Sequence, residues 1–390
     1  MLSFTLTNEQ QELINSLVKF YKNDERQWFA YSGAAGTGKT TVMKEMVKSL
    51  GLSMSEVACL AFVGKAVMVL ALNGLNASTI HSLIYEPVII PVYDDNGDPV
   101  YNKNGSQKKK LDFELKKHLN PNIKMIFVDE YSMVPDDIIR DILSFGLPVV
   151  FAGDMNQLPP VFGSSTILNH PDFVLTKIMR QAEGNPIIYL SQRVLNDLPL
   201  RIGQYGDSRV IKSIKAGDNL LNDYDIILTC KNKTREKFNT YIRSNILHIP
   251  NNNPIIGDKV ICRQNDWNRC IDEFYLVNGM SGFLTDIDYT KKSKKKLKVD
   301  FKPDFLNDEF INIDLDFEYI KATPEERKEW GISKYSKFEY AYAINVHISQ
   351  GSQYSRVLFI DEHFMGREME KKIKYTAITR AVNSIDIVLR

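Results

Sequence analysis

A chain of 390 residues is long enough for two or three domains, each with its own hydrophobic core. Its 44% apolar and 25% charged residues are typical of a globular protein. No apolar run reaches the ~18 residues of a membrane-spanning helix, so we expect no membrane partner and a cytoplasmic location. Because the net charge is only +1, a polyanionic partner would have to be held by local basic patches. The four cysteines form no C-x-x-C pair, which argues against a zinc site.

The first predicted elements surround a glycine-rich turn. The segment "WFAYSGAAGTGKTTVMKEMVKSL" (Trp28–Leu50) predicts a strand, a turn and an amphipathic helix. The turn matches the phosphate-binding pattern G-x-x-x-x-G-K-[ST] at Gly33, Ala34, Ala35, Gly36, Thr37, Gly38, Lys39 and Thr40, with Thr41 next in the helix. Glycines let successive N–H groups point into one concavity, and the helix N-terminus adds positive potential. The pattern predicts that Lys39 binds the β- and γ-phosphates and that the Thr40 hydroxyl is a Mg²⁺ ligand.

A later strand ends in two acids. The segment "IKMIFVDEYSM" (Ile123–Met133) begins with a short apolar run that suits a buried parallel strand. Asp129 at its end is placed to hold Mg²⁺, and Glu130 is placed to polarise the water that attacks the γ-phosphate. An Asp-Glu pair is weak evidence alone, but together with the P-loop it predicts an NTP hydrolase.

Three further polar residues follow later strands. "LPVVFAGDMNQLPPV" (Leu147–Val161) predicts a buried strand, and Gln157 in the proline-flanked loop after it is placed to sense the γ-phosphate. "LTKIMRQ" places Arg180 after a short β-like segment, and "KYTAITRAV" places Arg380 near residue 390. Two arginines outside the P-loop domain suggest fingers that stabilise transition-state charge, an effect of about 10³–10⁵ in rate. Taken singly, each arginine fits a surface residue better.

Nine segments in order form a recognisable set: "LTNEQ", the P-loop, "AFVGKAV", "ASTIHSL", "VDEYSM", "AGDMNQLPPV", "LTKIMRQAEGNPI", "AYAINVHISQGSQY" and "YTAITRA". The set resembles the motifs of superfamily 1 helicases, most closely subclass B, the RecD-like and phage Dda-like DNA helicases. The resemblance runs from residue 6 to residue 381. It implies an α/β fold with two RecA-like P-loop NTPase domains, ATP and Mg²⁺ at the cleft between them, and DNA as the substrate.

The resemblance assigns nucleotide contacts position by position. Gln10 in "LTNEQ" matches the glutamine that contacts adenine. The phosphate, metal, base and sensor positions fall on Lys39, Thr40, Asp129, Glu130 and Gln157. Arg180 and Arg380 match the two arginines that reach the γ-phosphate from the second domain. In "AYAINVHISQGSQYS" (Ala341–Ser355), Gln350 and Gly351 are expected to lie toward the nucleotide.

The resemblance also implies DNA contacts in both domains. The implied residues are Thr79, His81 and Ser82 in "ASTIHSL", and His347 and Ser349 in "AYAINVHISQGSQYS". One segment departs from the family pattern, because "AFVGKAV" has Phe62-Val63 where relatives commonly carry Pro-Thr. A valine side chain cannot donate a hydrogen bond to a phosphate. Contacts there are therefore expected from the backbone or from Lys65.

An insertion interrupts the first domain at "PVIIPVYDDNGDPVYNKNGSQKKK" (Pro87–Lys110). Apolar-rich flanks around Asn96-Gly97, with a second turn signal at Asn104-Gly105, indicate a β-hairpin. In the helicases that the chain resembles, an insertion at this place forms the pin that splits the duplex. Tyr93 and Tyr101 are candidates to meet the terminal base pair, since stacking contributes ~1–3 kcal/mol per base. The alternative is a solvated hairpin with packing tyrosines.

The domain organisation follows from the same pattern. We expect residues 1–84 and 119–172 to form the ATP-binding RecA-like domain 1A, 85–118 the pin insertion 1B, 173–250 and 336–390 the second RecA-like domain 2A, and 251–335 a small SH3-like β-barrel, 2B. Short strands with turn signals indicate the barrel. Its basic cluster comprises Lys291, Lys292, Lys294, Lys295, Lys296 and Lys298. Such a run suits a solvated turn or a contact with DNA phosphates.

The leading hypothesis is an ATP-dependent DNA helicase that translocates along single-stranded DNA, with 5′→3′ polarity implied by the resemblance alone. Forked or tailed duplexes are the expected substrates, a single-stranded-DNA-binding protein is a candidate partner, and a monomer is expected. A nucleic-acid-stimulated ATPase switch or remodeller would lack unwinding. The motor subunit of a nuclease complex would need its nuclease on another chain. A nucleotide kinase would turn over ATP independently of polynucleotide.

Overall fold

The computed structural model describes residues 6–23, 25–91, 93–94, 97–101, 107, 109–160, 163, 169–177, 184–214, 220–271, 274–293, 295–328, 330, 333–363 and 366–389. Among these residues, no helix combines the length and the apolar character that crossing a membrane requires. They build two parallel sheets, an antiparallel sheet and two antiparallel ribbons.

The elements in the first part of the chain are, in order, α1 (Asn8–Asn23), β1 (Trp28–Gly33), α2 (Lys39–Ser49), β2 (Val57–Ala61), α3 (Gly64–Leu72), β3 (Ala77–Thr79), α4 (Ile80–Ile84), β4 (Tyr85–Pro91), β5 (Lys109–Leu115), β6 (Met125–Asp129), α5 (Asp136–Leu143), β7 (Val149–Gly153) and β8 (Phe173–Leu175). The elements that follow are α6 (Pro186–Leu195), β9 (Gly203–Tyr205), β10 (Ser208–Ile211), α7 (Leu220–Asp223), β11 (Ile226–Thr229), α8 (Asn232–Tyr241), β12 (Lys259–Cys262), β13 (Asp266–Ile271), β14 (Phe274–Leu276), β15 (Ser281–Asp288), β16 (Lys296–Pro303), β17 (Phe310–Asp316), α9 (Phe317–Lys321), α10 (Pro324–Lys328), β18 (Phe338–Tyr340), β19 (Ala343–Asn345), β20 (Tyr354–Asp361), α11 (Arg367–Ile378) and β21 (Ala381–Leu389).

The first parallel sheet has the strand order β3-β2-β6-β7-β1-β8 within the described residues. Strands β2, β6 and β7 are buried along their whole length, as their continuous apolar sequences predict. Side chains alternate between the two faces of the sheet. Tyr31 and Phe127 pack against α1, α2 and α3, whereas Ala30 and Val128 pack against α4 and α5. The predicted strand–turn–helix at the P-loop and the strands before Asp129 and Asp154 are confirmed, as is the RecA-like α/β class.

Each helix on this sheet buries one row of apolar side chains. In α1 the buried apolar residues Leu13, Ile14, Leu17 and Phe20 recur every three or four positions, which places them on one face. The helix α2 does the same with Val42, Met43, Met46 and Val47. Full burial of one such side chain contributes about 1.5–3 kcal/mol. The covered sheet thereby fixes the direction of the loops at its carboxyl edge, where β1, β6 and β7 end.

The second parallel sheet has the order β19-β11-β20-β21-β10-β9 in the part of the chain that is described. Its strands run parallel except β9, which pairs antiparallel with β10. The helices α6 and α11 cover one face through Leu190, Tyr375 and Ile378. The strand and helix predicted in "DYDIILTCKNKTREKFN" are confirmed as β11 and α8.

Two insertions leave this framework. In the first, β4 and β5 pair antiparallel from Tyr85↔Leu115 to Pro91↔Lys109. In the second, the strands order as β17-β16-β15-β12-β18 in an antiparallel sheet, with β13 and β14 as a separate ribbon, among the residues described. The lysine-rich stretch of this sheet is partly neutralised, because Lys296 and Lys298 both pair with Asp314. Lys294 and the turn residues Asn96, Asn104 and Gly105 lie outside the described residues.

Buried charges fasten the antiparallel sheet to α8. The Glu339 carboxylate on β18 has Arg235 Nη2 at 3.1 Å and Arg263 Nε at 3.3 Å, and Tyr319 Oη donates to it at 3.0 Å. Burial acts to raise the Glu339 pKa, but Arg263, Arg235 and Arg327 outweigh it, so the pKa is lowered and the carboxylate stays charged. This network joins α8 and α10 to β18.

Two short strands, β8 and β18, pair with a different sheet from the one that the expected domain boundaries gave them. We expected the first domain to end at residue 172, but β8 (173–175) pairs with β1 in the first sheet. We placed residues after 335 with the second parallel sheet, but β18 pairs antiparallel with β12. Each strand is only three residues long, and its partner lies far away in sequence. Local pattern therefore carries no information about which sheet it joins.

Candidate nucleotide-binding site

The P-loop between β1 and α2 has the backbone that phosphate binding requires. Gly36 and Gly38 have φ of +85° and +79°, a region that favours glycine. Gly33 is needed for a different reason, because a Cβ there would lie 2.5 Å from Thr37 Oγ1. Lys39 Nζ donates to the Gly33 carbonyl oxygen at 2.6 Å, so the ammonium lies over the loop. Ala34, Ala35, Thr40 and Thr41 complete the turn and the first residues of α2.

Gln10 connects α1 to this loop. Its side chain is 1% exposed, and its amide Nε2 donates to the Thr37 carbonyl oxygen at 3.0 Å. Its Oε1 accepts from the Thr7 backbone N–H at 3.0 Å. The neighbouring Glu9 accepts from the backbone N–H groups of Thr176 and Lys177, which precede the segment that carries Arg180. The predicted adenine contact of Gln10 thus remains a prediction, while the structure uses its amide to hold the P-loop.

Asp129 is the last residue of β6, and Glu130 follows it. Asp129 is 7% exposed, and burial, reinforced by the Glu130 charge, raises its pKa against the opposing effect of Lys39. Glu130 has φ of +53°, which is unusual for a residue with a side chain. Its Oε2 is buried without a hydrogen-bond partner in the described part of the chain. Two carboxylates with an orphaned oxygen at the end of a buried strand form a site that a divalent cation and its bound water would satisfy.

The loop after β7 holds the predicted sensor. Gln157 is 4% exposed, and its backbone N–H donates to the Asp154 carbonyl oxygen at 3.0 Å. Asp154 is fully buried and accepts from Tyr375 Oη of α11 at 2.5 Å. The loop that carries Gln157 is therefore bonded to the domain of the second parallel sheet.

The next residue, Leu158, uses both of its backbone groups across the cleft. Its N–H donates to Thr376 Oγ1 at 3.1 Å, and its carbonyl oxygen accepts from Gln350 Nε2 at 2.8 Å. Gln350 is 4% exposed, so this hydrogen bond is shielded from water. The structure thus brings the predicted Gln350 and Gln157 into one loop contact.

Arg380 lies just after α11, close to this interface. It is 4% exposed, and its nitrogens donate to the Thr376 carbonyl oxygen, the Ser352 carbonyl oxygen and Thr379 Oγ1 at 3.2–3.4 Å. All three acceptors belong to its own domain. Arg180 lies outside the described residues.

The departure from the family pattern at Val63 coincides with a close contact between the two domains. Gly351 has φ of +70°, and a Cβ on it would lie 2.6 Å from Val63 Cγ2. Next to it, Lys65 Nζ lies 4.3 Å from the centre of the Tyr354 ring. Burial lowers the Lys65 pKa, and Lys259 and Arg380 lower it further against the opposing effect of Asp304. Lys65 thus bridges the domains, and its predicted DNA contact stays a prediction.

The other residues predicted to bind DNA lie in three places. Thr79 and Ser82 bond to each other at the start of α4, where the Ser82 N–H donates to Thr79 Oγ1 at 3.1 Å. His81 packs between Phe62 and Tyr85, and burial lowers its pKa. Tyr93 and Tyr101 on the insertion are 56% and 60% exposed.

The third place is the turn after β19. Burial lowers the pKa of His347, so its imidazole is neutral at physiological pH, and its contact with DNA would be a hydrogen bond without charge. Ser349 is fully buried, and its hydroxyl donates to the Val346 carbonyl oxygen at 2.7 Å. In this conformation that hydroxyl holds the turn together and is not available to a phosphate.

Sequence reasoning missed the residues that connect the two sheets. Tyr375 and Thr376 stand inside the quoted "KYTAITRAV", but only its arginine was given a role. Asp154 stands inside the quoted "LPVVFAGDMNQLPPV", but only Gln157 was given a role there. A signal existed, because a tyrosine and two threonines on the apolar face of a helix need buried partners. Which partners they find depends on the packing of the two sheets.

Comparison with known proteins places the chain in a family. An AAA-domain model matches residues 5–216, more than half of the chain, and a UvrD-like helicase C-terminal domain matches residues 340–384. The ATP-dependent DNA helicase Dda of Enterobacteria phage T4 is 23% identical over 96% of this chain and 97% of its own length.

The ATP-dependent RecD2 DNA helicase of Deinococcus radiodurans is 26% identical over 90% of this chain. The chain spans only 45% of RecD2, less than half of that longer relative. The structure of Bacteroides Pif1 bound to single-stranded DNA superposes with a TM-score of 0.57 at 19% identity, covering 98% of this chain and 92% of that one. The chain belongs to the AAA-domain family, and the relatives that it resembles over most of its length are ATP-dependent DNA helicases.

Proposed function

We propose that the protein is an ATP-dependent DNA helicase that translocates along single-stranded DNA from 5′ to 3′ and couples ATP hydrolysis to duplex unwinding. One observation carries the proposal: the carboxyl edge of the first sheet, with the P-loop and Glu130, faces the segments that lead into β20 and β21 across a shared cleft. A nucleotide in that cleft would touch both halves of the molecule. Its binding and hydrolysis would then change how the halves sit on a DNA strand.

The residues of the cleft divide the chemistry among them. Lys39 and the P-loop N–H groups bind phosphate, Gln10 reads the base, and Thr40 and Asp129 would hold Mg²⁺. The cation supplies Lewis-acid stabilisation of charge on the phosphate oxygens when bound. Glu130 accepts the proton of the attacking water, for which its unpartnered Oε2 is suited. Gln157, Arg180 and Arg380 contact the γ-phosphate after a rearrangement that turns Arg380 toward the P-loop.

Residues of both domains would contact the DNA strand. We assign contacts with the single-stranded DNA to Lys65, Thr79, His81 and Ser82 on the first domain and to His347 on the second. Ser349 would support these contacts by holding the turn that carries His347. The β4–β5 ribbon serves as the pin, with Tyr93 and Tyr101 as its exposed aromatic residues. The antiparallel sheet is an SH3-like domain that closes over the strand. Single-stranded DNA and forked or tailed duplexes are the substrates, a single-stranded-DNA-binding protein is a candidate partner, and the active form is a monomer.

The test is ATP hydrolysis and strand separation on defined DNA. We expect ATP turnover to rise strongly when oligothymidine is added, and duplexes with a 5′ single-stranded tail to be unwound. Duplexes with a 3′ tail should remain annealed. Stimulated hydrolysis without unwinding of either duplex would instead indicate a DNA-gated ATPase switch, and unwinding from the 3′ tail would refute the polarity.

A further inference from the structure

Tyr375 of α11 lies between two elements of the first sheet. Its hydroxyl accepts from the backbone N–H of Ala35 in the P-loop at 3.0 Å and donates to Asp154 Oδ2 at 2.5 Å. The side chain is fully buried. Burial raises the pKa of the phenol, and the Asp154 charge raises it further. Tyr375 thus stays neutral, and one hydroxyl links the P-loop, the sensor loop and α11.

The surrounding contacts make this link specific. Tyr375 bonds to Asp154 and Thr376 bonds to Leu158, so consecutive residues of α11 hold the loop on both sides of Gln157. Two neighbouring attachments define the position of the loop more closely than one. The loop that carries the sensor therefore follows α11 when that helix moves.

Arg380, unlike Tyr375, makes its hydrogen bonds within its own domain. Its guanidinium nitrogens bond to acceptors in its own domain, including the carbonyl oxygens of Thr376 and Ser352. The P-loop is instead met by the Tyr375 hydroxyl. In this conformation a neutral hydroxyl from the second domain occupies a position at the P-loop, while the arginine expected at the γ-phosphate is held back.

We infer that Tyr375 is a positioning residue whose hydroxyl competes with the phosphates of a bound nucleotide for the backbone N–H of Ala35. This rests on the proposed ATP-binding function. The N–H groups of a P-loop are the donors to phosphate, and the Ala35 N–H carries a single proton. Displacement also removes the donor from Asp154, which leaves Thr376 and Gln350 as the contacts of the Gln157 loop with the second domain. Nucleotide occupancy is thereby linked to the positions of Gln157 and Arg380.

The main measurement is the affinity for an ATP analogue that is not hydrolysed. Tyr375→Phe keeps the ring and removes the hydroxyl that competes for Ala35. Since a buried hydrogen bond has a modest net strength, we expect the variant to bind a fluorescent non-hydrolysable ATP analogue about 3- to 10-fold more tightly than the wild type. We also expect a lower KM and a lower kcat in DNA-stimulated hydrolysis, because the sensor loop has lost one of its hydrogen bonds to α11. Tyr189→Phe, a half-exposed tyrosine away from the cleft, is the matched control.

A second variant weakens the same hydrogen bond from its other end, in case Tyr375→Phe does not fold. Asp154→Asn keeps the shape of the acceptor but weakens it, and should shift the nucleotide Kd in the same direction. If the wild type binds no nucleotide, the proposed function fails. If the wild type binds the analogue and both variants bind it with an unchanged or higher Kd, the inference about Tyr375 is overturned.

Discussion

Glu130 combines two features that are costly for a side chain with a purely structural role. Its φ of +53° lies in a region that residues other than glycine seldom adopt, at a cost of about 1–3 kcal/mol. Its Oε2 is buried, and the described residues offer it no hydrogen bond. Strain of this kind persists where a group must be held for chemistry.

Replacing that carboxylate tests its role as the base. For Glu130→Gln we expect kcat of DNA-stimulated ATP hydrolysis to fall by about 10²–10⁴, because the amide cannot accept the proton of water. Nucleotide affinity should be retained, since the substitution leaves Lys39 and the N–H groups of the P-loop in place. Glu45→Gln on the outer face of α2 is the control and should leave both quantities unchanged. A Glu130→Gln enzyme with wild-type kcat would exclude the base assignment.

At this scale the sequence predicts local chemistry well and cross-domain contacts poorly. The P-loop residues and the Asp129–Glu130 pair could be read directly, because the spacing of glycines and the end of an apolar run are local properties. The burial of Ser349 and the bonds of Tyr375 could not. Ser349 turns back on its own helical turn, and Tyr375 finds its partners about 220 and 340 positions earlier in the chain.

Among elements, the central strands are predictable because continuous apolar runs must be covered on both faces. The short edge strands β8 and β18 are not, since three residues fit either neighbouring sheet. The hairpin insertion can be predicted in part. Turn signals and flanking apolar residues indicate a ribbon, and β4 and β5 form one, but nothing in the sequence fixes how the ribbon is aimed.

The ribbon is the element whose removal separates unwinding from hydrolysis. Deleting residues 96–104 leaves β4 and β5 intact and removes the turn region with Tyr101. We expect strand separation on a 5′-tailed duplex to be lost while oligothymidine-stimulated ATP turnover is retained. Tyr93→Ala and Tyr101→Ala should each give a smaller loss of unwinding, since stacking contributes ~1–3 kcal/mol per base. Equal loss of both activities in the deletion would mean that the ribbon supports the fold or the cleft and is not a pin.

At the scale of the whole molecule, the two halves meet through contacts that tolerate little extra volume. Gly351 approaches Val63 so closely that a methyl group would overlap it, and Lys65 lies over Tyr354 beside this point. The Phe62-Val63 departure from the family pattern is therefore accommodated by shape. A branched side chain on the first half fits a glycine on the second.

A double-mutant cycle measures this fit. Gly351→Ala should lower the free energy of unfolding through both its positive φ and the overlap with Val63, whereas Gly51→Ala, at φ +71° with nothing within 4 Å, reports the backbone effect alone. Val63→Ala in the Gly351→Ala background should restore part of the loss, with a coupling of about 0.5–3 kcal/mol. Denaturant unfolding gives all of these values. Strictly additive effects of the two substitutions would show that the halves do not meet there in solution.

The placement of the antiparallel sheet constrains how the chain can fold. Strands β11 and β19 are neighbours in the second parallel sheet, yet Thr229 and its partner Asn345 are separated by 116 positions. Joining such distant segments early is entropically expensive, and long-range pairing slows folding. The inserted sheet shortens the distance, because β12 and β18 pair at Val260 and Tyr340 and so bring its two ends together. Once the antiparallel sheet has formed, it holds β11 and β19 close to each other. The second parallel sheet can then form without closing a long, flexible loop.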